Sequence, residues 1–371
     1  MQESKGFIHL ITKEEFTLRA VAIEDLQPGM TLARTIVNDE MVVVLSENTL
    51  LTKAHITRLG FLNIPVVYIK DEYELSTNYQ NVAAMFSPSN AFVTEYKEVV
   101  HAAREIFDTA AKNGKVPMEP ANKMVNESLV PMAKQSGAID YLYELNHLAS
   151  DVYNHSLRVA ILAGVLSKWM RFSPGKTKEL ILAGFLHDIG KTKFPERLIG
   201  KNTDSLKGAD LETYMQHTID GHHILSSNPE LSDNIKLTAL QHHECMDGSG
   251  FPFNSTASDV NEYARIIAIA DLYDNITTER EGSVKETPFS AISHITEDMF
   301  SKLDPTICVP FLVHIKEAFL GSTVTLSNGL QGIIVRYPND FAANPLIRVS
   351  QDTIIDLNEH HDIKIVEYNP K

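Results

Sequence analysis

Apolar residues recur at helical spacing through most of the middle of the chain. A stripe of this kind consists of Phe92, Tyr96, Val99, Ala103, Ile106 and Ala110. From residue 117 to about 320 the same periodicity continues, and Ser173-Pro174 offers an N-cap and a first-turn proline for one helix. The pattern predicts a helical central domain, preceded by a connecting helix whose apolar stripe packs into a core.

Strand-like segments flank this helical region on both sides. Towards the N-terminus, TLARTIV, MVVVL and PVVYI surround a helical segment that begins near residue 51. After Gly321, STVTL and GIIVRY flank Ser327-Asn328-Gly329, and Asn-Gly between two such runs is a strong hairpin signal. PLIRVS and DIKIVEY add further strands. We therefore predict a mainly α protein: a helical bundle with a small N-terminal α/β unit and a small C-terminal β appendage.

These changes of pattern also predict the domain boundaries. Residues 1–72 are expected to form the small α/β regulatory unit, and residues 73–116 a linker and the connecting helix. Residues 117–320 are expected to form the helical catalytic domain, and residues 321–371 a small β module. Catalytic chemistry is predicted only in the third of these segments.

Composition narrows the class of protein. The chain has 371 residues, 43% hydrophobic and 22% charged, which is ordinary for globular domains. The formal net charge of −15 argues against a nucleic-acid polymer or a polybasic membrane contact. Two cysteines fit a reducing compartment, and no apolar run approaches the roughly 20 residues that span a bilayer. We expect a cytoplasmic protein without membrane insertion.

Metal-ligating residue types cluster in the helical region. The candidate ligands are His155, His187, Asp188, His217, His242, His243 and Asp271. Each histidine taken singly is more often a hydrogen-bonded core residue than a ligand. Together, buried imidazoles and carboxylates would be costly without a cation, and they suit manganese, iron, zinc or nickel. Neighbouring side chains on a helix diverge by about 100°, so the adjacent pairs can serve different parts of one cluster.

The strings around these residues resemble a known family. HDIGK at residues 187–191 matches the signature of HD phosphohydrolases, and HHECMDGSGFP at residues 242–252 resembles that of their HD-GYP subgroup. HSLRV at residues 155–159 resembles the opening helix of the family. AIADLYD at residues 268–274, followed by Thr278-Glu279-Arg280, resembles its closing segment. The resemblance covers roughly residues 140–320.

The resemblance implies hydrolysis of the bacterial second messenger cyclic di-GMP to linear pGpG, and in some relatives on to GMP. It carries over the seven ligands above, with Asp188 as the bridge between two metals, and Lys191 as a contact to the substrate phosphate. Asp274 and Arg280 are weaker candidates for substrate contacts. The expected mechanism is in-line attack by a hydroxide that bridges the metals. A diguanylate cyclase or another signalling protein is a candidate partner, and a homodimer is left open.

Three positions depart from the family pattern. Phe251 replaces the signature tyrosine and lacks its hydroxyl. Asp151 stands where relatives with three metals carry glutamate, so it is a candidate third-metal ligand with one methylene less reach. Glu281-Gly282-Ser283 replaces the usual Pro-Tyr-Arg run. We therefore predict two divalent metals, iron or manganese, and pGpG as the main product.

Two other functions remain open from the sequence. The chain could be a catalytically weak receptor that recognises cyclic di-GMP and signals through partners. It could also be an HD hydrolase of mononucleotides or of another cyclic dinucleotide such as cyclic GMP-AMP. The stretch from Gly248 to Pro252 argues against mononucleotides, but it does not separate the two cyclic dinucleotides.

Overall fold

The computed structural model describes residues 17–23, 26–37, 43–47, 49–61, 66–71, 90–145, 151–199, 201, 206–279, 286–339, 342–350 and 353–370. The chain divides into two compact units, one formed by Phe86–Ala318 and the other by the segments on either side. The four predicted domains stay a prediction, and most of the predicted linker lies outside the described residues.

The N-terminal segment forms the predicted small α/β structure. It contains β1 (Thr17–Ala22), β2 (Thr31–Leu32), β3 (Ile36–Val37), β4 (Val43–Leu45), α1 (Lys53–Phe61) and β5 (Val66–Asp71). β5 lies between β1 and β2 in an antiparallel sheet, while β3 and β4 pair separately. Leu32, Leu59 and Ile69 belong to its apolar core. The strand β1 was not predicted, whereas the other elements agree with the sequence pattern.

The middle unit is helical, as predicted. Its helices are α2 (Asn90–Asn113), α3 (Met118–Met124), α4 (Val130–Lys134), α5 (Ala138–Leu145), α6 (Val152–Trp169), α7 (Pro174–Leu186), α8 (Ala209–Ser226), α9 (Asp233–Gln241), α10 (Glu262–Thr277), α11 (Pro288–Asp298) and α12 (Pro305–Phe319). A π-helical turn joins α3 to α4 (Val125–Leu129), and short 3₁₀ helices follow α7 (Ile189–Lys193 and Glu196–Leu198). Among the described residues, no helix combines the length and the apolar composition that a membrane span requires.

Local signals identify the start of α7 and the packing face of α2. The Ser173 hydroxyl accepts a hydrogen bond from the Lys176 amide, and Pro174 occupies the first turn. On α2, the predicted stripe is buried; Tyr96, Ala103 and Ala110 have no exposed surface. Both predictions are confirmed because caps and amphipathic stripes depend on residues within one or two turns of each other.

The C-terminal segment is an antiparallel sheet. Its strands are β6 (Thr323–Leu326), β7 (Gln331–Arg336), β8 (Leu346–Ser350), β9 (Thr353–Asp356) and β10 (Ile365–Asn369). They lie in the order β10-β6-β7-β8-β9. The predicted Asn-Gly hairpin joins β6 to β7, and Gly329 has a φ of 84°, the left-handed conformation that glycine adopts without strain. β9 was not predicted.

Candidate metal centre

The predicted ligands lie on, or directly after, the helices α6 to α10. His155 lies in the first turn of α6, and His187-Asp188 follows the last residue of α7. His217 lies on α8, whereas His242-His243 follows the end of α9. Asp271 lies on α10. Five separate helices therefore contribute to one cluster.

The seven residues form two groups of potential ligands. The first group is His155, His187 and Asp271, and the second group is Asp188, His217, His242 and His243. Within each group, the atoms available for coordination lie within 4.8 Å of one another. All except His243 are buried, and His243 is half-buried. Tertiary structure thus assembles every one of the predicted ligands.

Asp188 faces both groups through different oxygens. Its Oδ2 lies 3.4 Å from His155 Nε2 and 3.5 Å from His187 Nε2. Its Oδ1 lies 3.3 Å from His217 Nε2 and 3.5 Å from His242 Nε2. A carboxylate can bind one cation with each oxygen, so this orientation suits a bridge between two sites.

Four imidazoles present Nε2 to the cluster because Nδ1 is already engaged. His187 Nδ1 donates to the Gly184 carbonyl at 2.7 Å, and His217 Nδ1 donates to the Tyr214 carbonyl at 2.5 Å. His242 Nδ1 lies 3.1 Å from two carbonyl oxygens of its own helix, and His155 Nδ1 lies 2.8 Å from a carboxylate. Carbonyl and carboxylate oxygens only accept, so Nδ1 carries the hydrogen. A neutral ring then has its Nε2 lone pair free for a cation.

The pKa values favour the ligand forms in most of the cluster. Burial lowers the pKa of His217 to about 4 and lowers that of His243 well below its ordinary value. Burial alone would raise the pKa of Asp188, but Lys191 and His187 outweigh it and hold that pKa well below its usual range. Neutral imidazoles and ionised carboxylates are the forms that bind metals.

His155 differs because three carboxylates surround it. Burial lowers its pKa, but hydrogen bonds to Asp188, Asp271 and Asp274 outweigh burial and raise the pKa to about 10. The raised pKa reflects the excess of negative charge around this imidazole. A divalent cation would neutralise the same charge.

Several buried atoms of the cluster make no hydrogen bond. They are His187 Nε2, Asp188 Oδ1 and His243 Nε2. A buried polar atom without a partner costs about 1–3 kcal/mol, so three in one cluster need an explanation. Coordination supplies it, because all three are potential ligand atoms of the same two groups. The donor set, the charge and the orphaned atoms all fit divalent metal ions.

Lys191 lies at the edge of the cluster. Its Nζ donates to Asp188 Oδ2 at 2.5 Å, and 16% of its side chain is exposed. The ammonium also lies over the Tyr214 ring, 5.2 Å from the centroid. Burial would lower the pKa of this lysine, but Asp188 raises it, so the side chain stays charged. A fixed positive charge is thus presented beside the candidate metal ligands.

The segment after His243 folds back on the cluster. The Phe251 ring stacks on the His243 imidazole, with centroids 4.5 Å apart and planes at 27°. Glu244 is buried, and its carboxylate accepts hydrogen bonds from the amides of Phe253 and Ser255 at 2.8 and 2.9 Å. Phenylalanine in place of tyrosine therefore keeps the stacking contact, which needs only the ring.

Among the described residues, the other predicted site residues Asp274 and Asp151 do not belong to the two ligand groups. Asp274 is buried against His155 Nδ1 and against Arg158, whose Nε and Nη2 donate to its two oxygens at 2.6 and 3.1 Å. Asp151 caps α6: its Oδ1 accepts from the amide and the side chain of Asn154 at 2.8 and 3.0 Å. Its Oδ2 lies 3.6 Å from Arg104. Arg280 lies outside the described residues.

Arg158 is a site residue that sequence reasoning missed. It is 1% exposed and is the largest fully buried side chain of the described chain. The signal available in the sequence was a charged residue three positions after His155, followed by a run of apolar residues on the same helix. Arginine is almost never fully buried unless it is paired.

Comparison with known proteins finds a family match over the residues of this site. The HD domain family model matches residues 140–307. A cyclic di-GMP phosphodiesterase of Pseudomonas aeruginosa is 26% identical over 272 residues, which cover 71% of this chain and 65% of the relative. Another, of Thermotoga maritima, is 32% identical over 190 residues, covering 48% of this chain and 50% of the relative. A third, of Borreliella burgdorferi, is 23% identical over 337 residues, covering 88% of each.

The matches to the first two relatives span less than two thirds of their length, whereas the third match spans most of both proteins. The residues of this chain that match the family model include all seven candidate ligands and Lys191. Residues 140–307 are therefore similar to the HD domain family. Within them, the string at residues 187–191 matches the HD signature, and the string at residues 242–252 resembles that of the HD-GYP subgroup.

Proposed function

We propose that this chain is a metal-dependent phosphodiesterase that hydrolyses cyclic di-GMP to linear pGpG and forms GMP only slowly. The observation that carries the proposal is the position of Asp188, whose two oxygens face different groups of ligands beside the Lys191 ammonium. Three relatives that are named cyclic di-GMP phosphodiesterases support the choice of substrate. The partner protein and the homodimer stay predictions.

The proposed cofactor is a pair of divalent cations, iron or manganese. The first group would hold one cation and the second group the other, with Asp188 contributing an oxygen to each. Imidazole and carboxylate ligands suit both of these metals. The engagement of Asp151 in the cap of α6 supports two metals over three, because both of its oxygens already face other groups.

When bound, the cations would activate water and neutralise charge on the phosphate. The protein's own contribution is position and charge. Lys191 is held by Asp188 and by the Tyr214 ring, so its ammonium can donate to a phosphate oxygen at the same edge of the cluster. Such a charge-assisted hydrogen bond is stronger than one between neutral groups.

The number of cations and the charge of the linear product favour pGpG as the main product. Two cations are enough to open one phosphodiester of the ring. The linear product carries a terminal phosphate of higher charge and must be bound again before a second cut. Lys191 is the only basic side chain in the described part of the site for which we propose a phosphate contact. We therefore expect pGpG to be released before the second hydrolysis.

A time course on cyclic di-GMP tests this proposal. The protein would be purified without oxygen, loaded with Fe²⁺ or Mn²⁺, and its products separated by chromatography, with 3′3′-cyclic GMP-AMP as a competing substrate. We expect pGpG to accumulate. Binding of cyclic di-GMP without turnover with either metal would refute the proposal and support a receptor.

Two substitutions separate the proposed roles. Asp188→Asn should lose most bound metal and nearly all hydrolysis, because the bridging oxygens serve both groups. Lys191→Met should keep its metal but lose at least tenfold in kcat/KM, about 1.4 kcal/mol. The control is Lys193→Met on the same 3₁₀ helix, because Lys193 is half-exposed and pairs with Asp220 at 3.5 Å. Equal effects of the two lysine variants would contradict the phosphate contact.

A further inference from the structure

A buried ion pair lies behind His155, on the side away from the other cluster carboxylates. Arg158 and Asp274 are each 1% exposed, and His155 is 5% exposed. Asp274 Oδ2 lies 2.8 Å from His155 Nδ1, whereas Asp188 and Asp271 approach Nε2 at 3.4 and 3.0 Å. The two ring nitrogens thus face different carboxylates.

Arg158 fixes the orientation of the Asp274 carboxylate. Arg158 Nε donates to Oδ1 at 2.6 Å, and Nη2 donates to Oδ2 at 3.1 Å. Two parallel bonds from a planar guanidinium restrict both the position and the rotation of a carboxylate. Asp274 Oδ2 then remains directed at His155. Both of its oxygens are engaged within the protein, and its negative charge would repel a phosphate.

The orientation of His155 depends on this pair more than the other rings depend on their partners. His187, His217 and His242 are held by main-chain carbonyls of their own helices. These carbonyls are in place whenever the helix is formed. The Nδ1 of His155 is instead held by a side chain 119 positions away in the sequence. Substitution of that side chain can therefore release one ligand without breaking a helix.

We propose that Asp274 and Arg158 are positioning residues: Asp274 keeps the hydrogen of His155 on Nδ1, and Arg158 holds Asp274 in place. Nε2 is thereby left free for the cation that the first group would hold. The inference rests on the proposed metal site, and it replaces the predicted substrate contact of Asp274. Partners of this kind, which bind the far nitrogen of a ligand histidine, typically change metal affinity by about 10–100-fold when mutated.

Asp274→Asn tests the pair with little change in shape. The asparagine amide has one acceptor atom, its oxygen. Arg158 donates towards both positions that the Asp274 carboxylate oxygens occupy. With its oxygen turned to Arg158 Nε, the amide presents NH₂ to His155 Nδ1. The ring then favours hydrogen on Nε2, which prevents coordination. We expect Zn²⁺ affinity at the first group to fall about 10–100-fold, measured by competition with a chromophoric chelator.

The matched control is Asp304→Asn. Asp304 is also buried and accepts from Arg265 Nη1 at 2.6 Å, so this variant breaks a similar pair that joins α10 to the start of α12. We expect it to retain wild-type Zn²⁺ affinity. Arg158→Lys, which keeps the charge but loses the two-pronged contact, should weaken binding in the same direction as Asp274→Asn. Wild-type affinity in a folded Asp274→Asn protein would overturn the proposal.

A measurement on the wild-type protein, with one variant used only to assign a signal, covers the case in which the Asp274 and Arg158 variants do not fold. Histidine side-chain ¹⁵N spectra of the zinc-loaded protein report which ring nitrogen binds metal, and the His155 signal is identified by its loss in His155→Gln. Coordination through Nε2 with hydrogen on Nδ1 is expected, and coordination through Nδ1 would refute the pair's role. Neither zinc experiment uses nucleotide. If both zinc experiments give the expected results but the protein does not hydrolyse cyclic di-GMP, only the proposed function is refuted.

Discussion

Gly190 offers the sharpest test of how tertiary packing forms the metal centre. It lies between Asp188 and Lys191, where the 3₁₀ helix passes the backbone of α8. A Cβ at this position would lie 1.9 Å from the His217 carbonyl oxygen and 2.6 Å from the Gly221 nitrogen. Both are backbone atoms, which cannot rotate away as a flexible side chain could. Gly190→Ala should therefore separate the two segments that carry Asp188 and His217.

The size of the effect follows from that clash. Moving the oxygen out to 3.0 Å, below which Cβ contacts are essentially absent, requires a shift of about 1 Å. Metal sites tolerate roughly 0.2 Å in ligand distance, so we expect at least tenfold weaker metal binding. Overpacking typically costs about 1–3 kcal/mol, which lowers the Tm of a unit of this size by roughly 2–12 °C.

The assay is metal content by elemental analysis together with thermal unfolding of the metal-free and metal-loaded protein. The control is Gly175→Ala in the first turn of α7, where a Cβ would meet nothing within 4 Å. Alanine is the better helix former, so this variant should keep its metal and gain stability of up to about 1 kcal/mol. A Gly190→Ala protein with wild-type Tm and metal affinity would refute the argument from backbone contact.

Three further predictions concern a cap, a ring and a thiol. Asp151→Ala should cost about 0.5–2 kcal/mol by removing the cap of α6 but leave metal content unchanged; loss of one metal per chain on elemental analysis would reveal a third site. Tyr214→Leu removes the ring beneath Lys191 and should lower kcat/KM about 2–30-fold at constant metal content, the range of a cation–π contact; steady-state kinetics that match wild type would contradict it. Burial raises the pKa of the Cys308 thiol to about 12. Because the folded pKa is the higher one, the associated stability is present below about pH 8.5 and falls towards pH 12 by at most about 1.4 kcal/mol per unit. Urea unfolding at pH 8 and pH 10 should therefore show a smaller decline for Cys308→Ala than for wild type, and equal declines would exclude this role.

Much of the secondary structure could be predicted because its signals are local. The stripe on α2, the Ser173-Pro174 start of α7 and the Asn-Gly hairpin each depend on residues a few positions apart. β1 was missed because its pairing partner β5 lies about 50 residues further along the chain. A strand is stabilised by its neighbours across the sheet, which local pattern does not identify.

The candidate ligands could be named from the sequence alone, because metal chemistry restricts the residue types and the strings at residues 187–191 and 242–252 carry the family resemblance. How those ligands divide into groups depends on tertiary contacts, since Asp188 can face both groups only where α6, α7, α8 and α9 pack together. Tertiary contacts also place Asp274 behind His155 with Arg158. Those contacts join α6 to α10 across more than 100 positions of chain, and the orientation of a side chain in such a contact is set by packing between helices, which residue type and spacing leave undetermined.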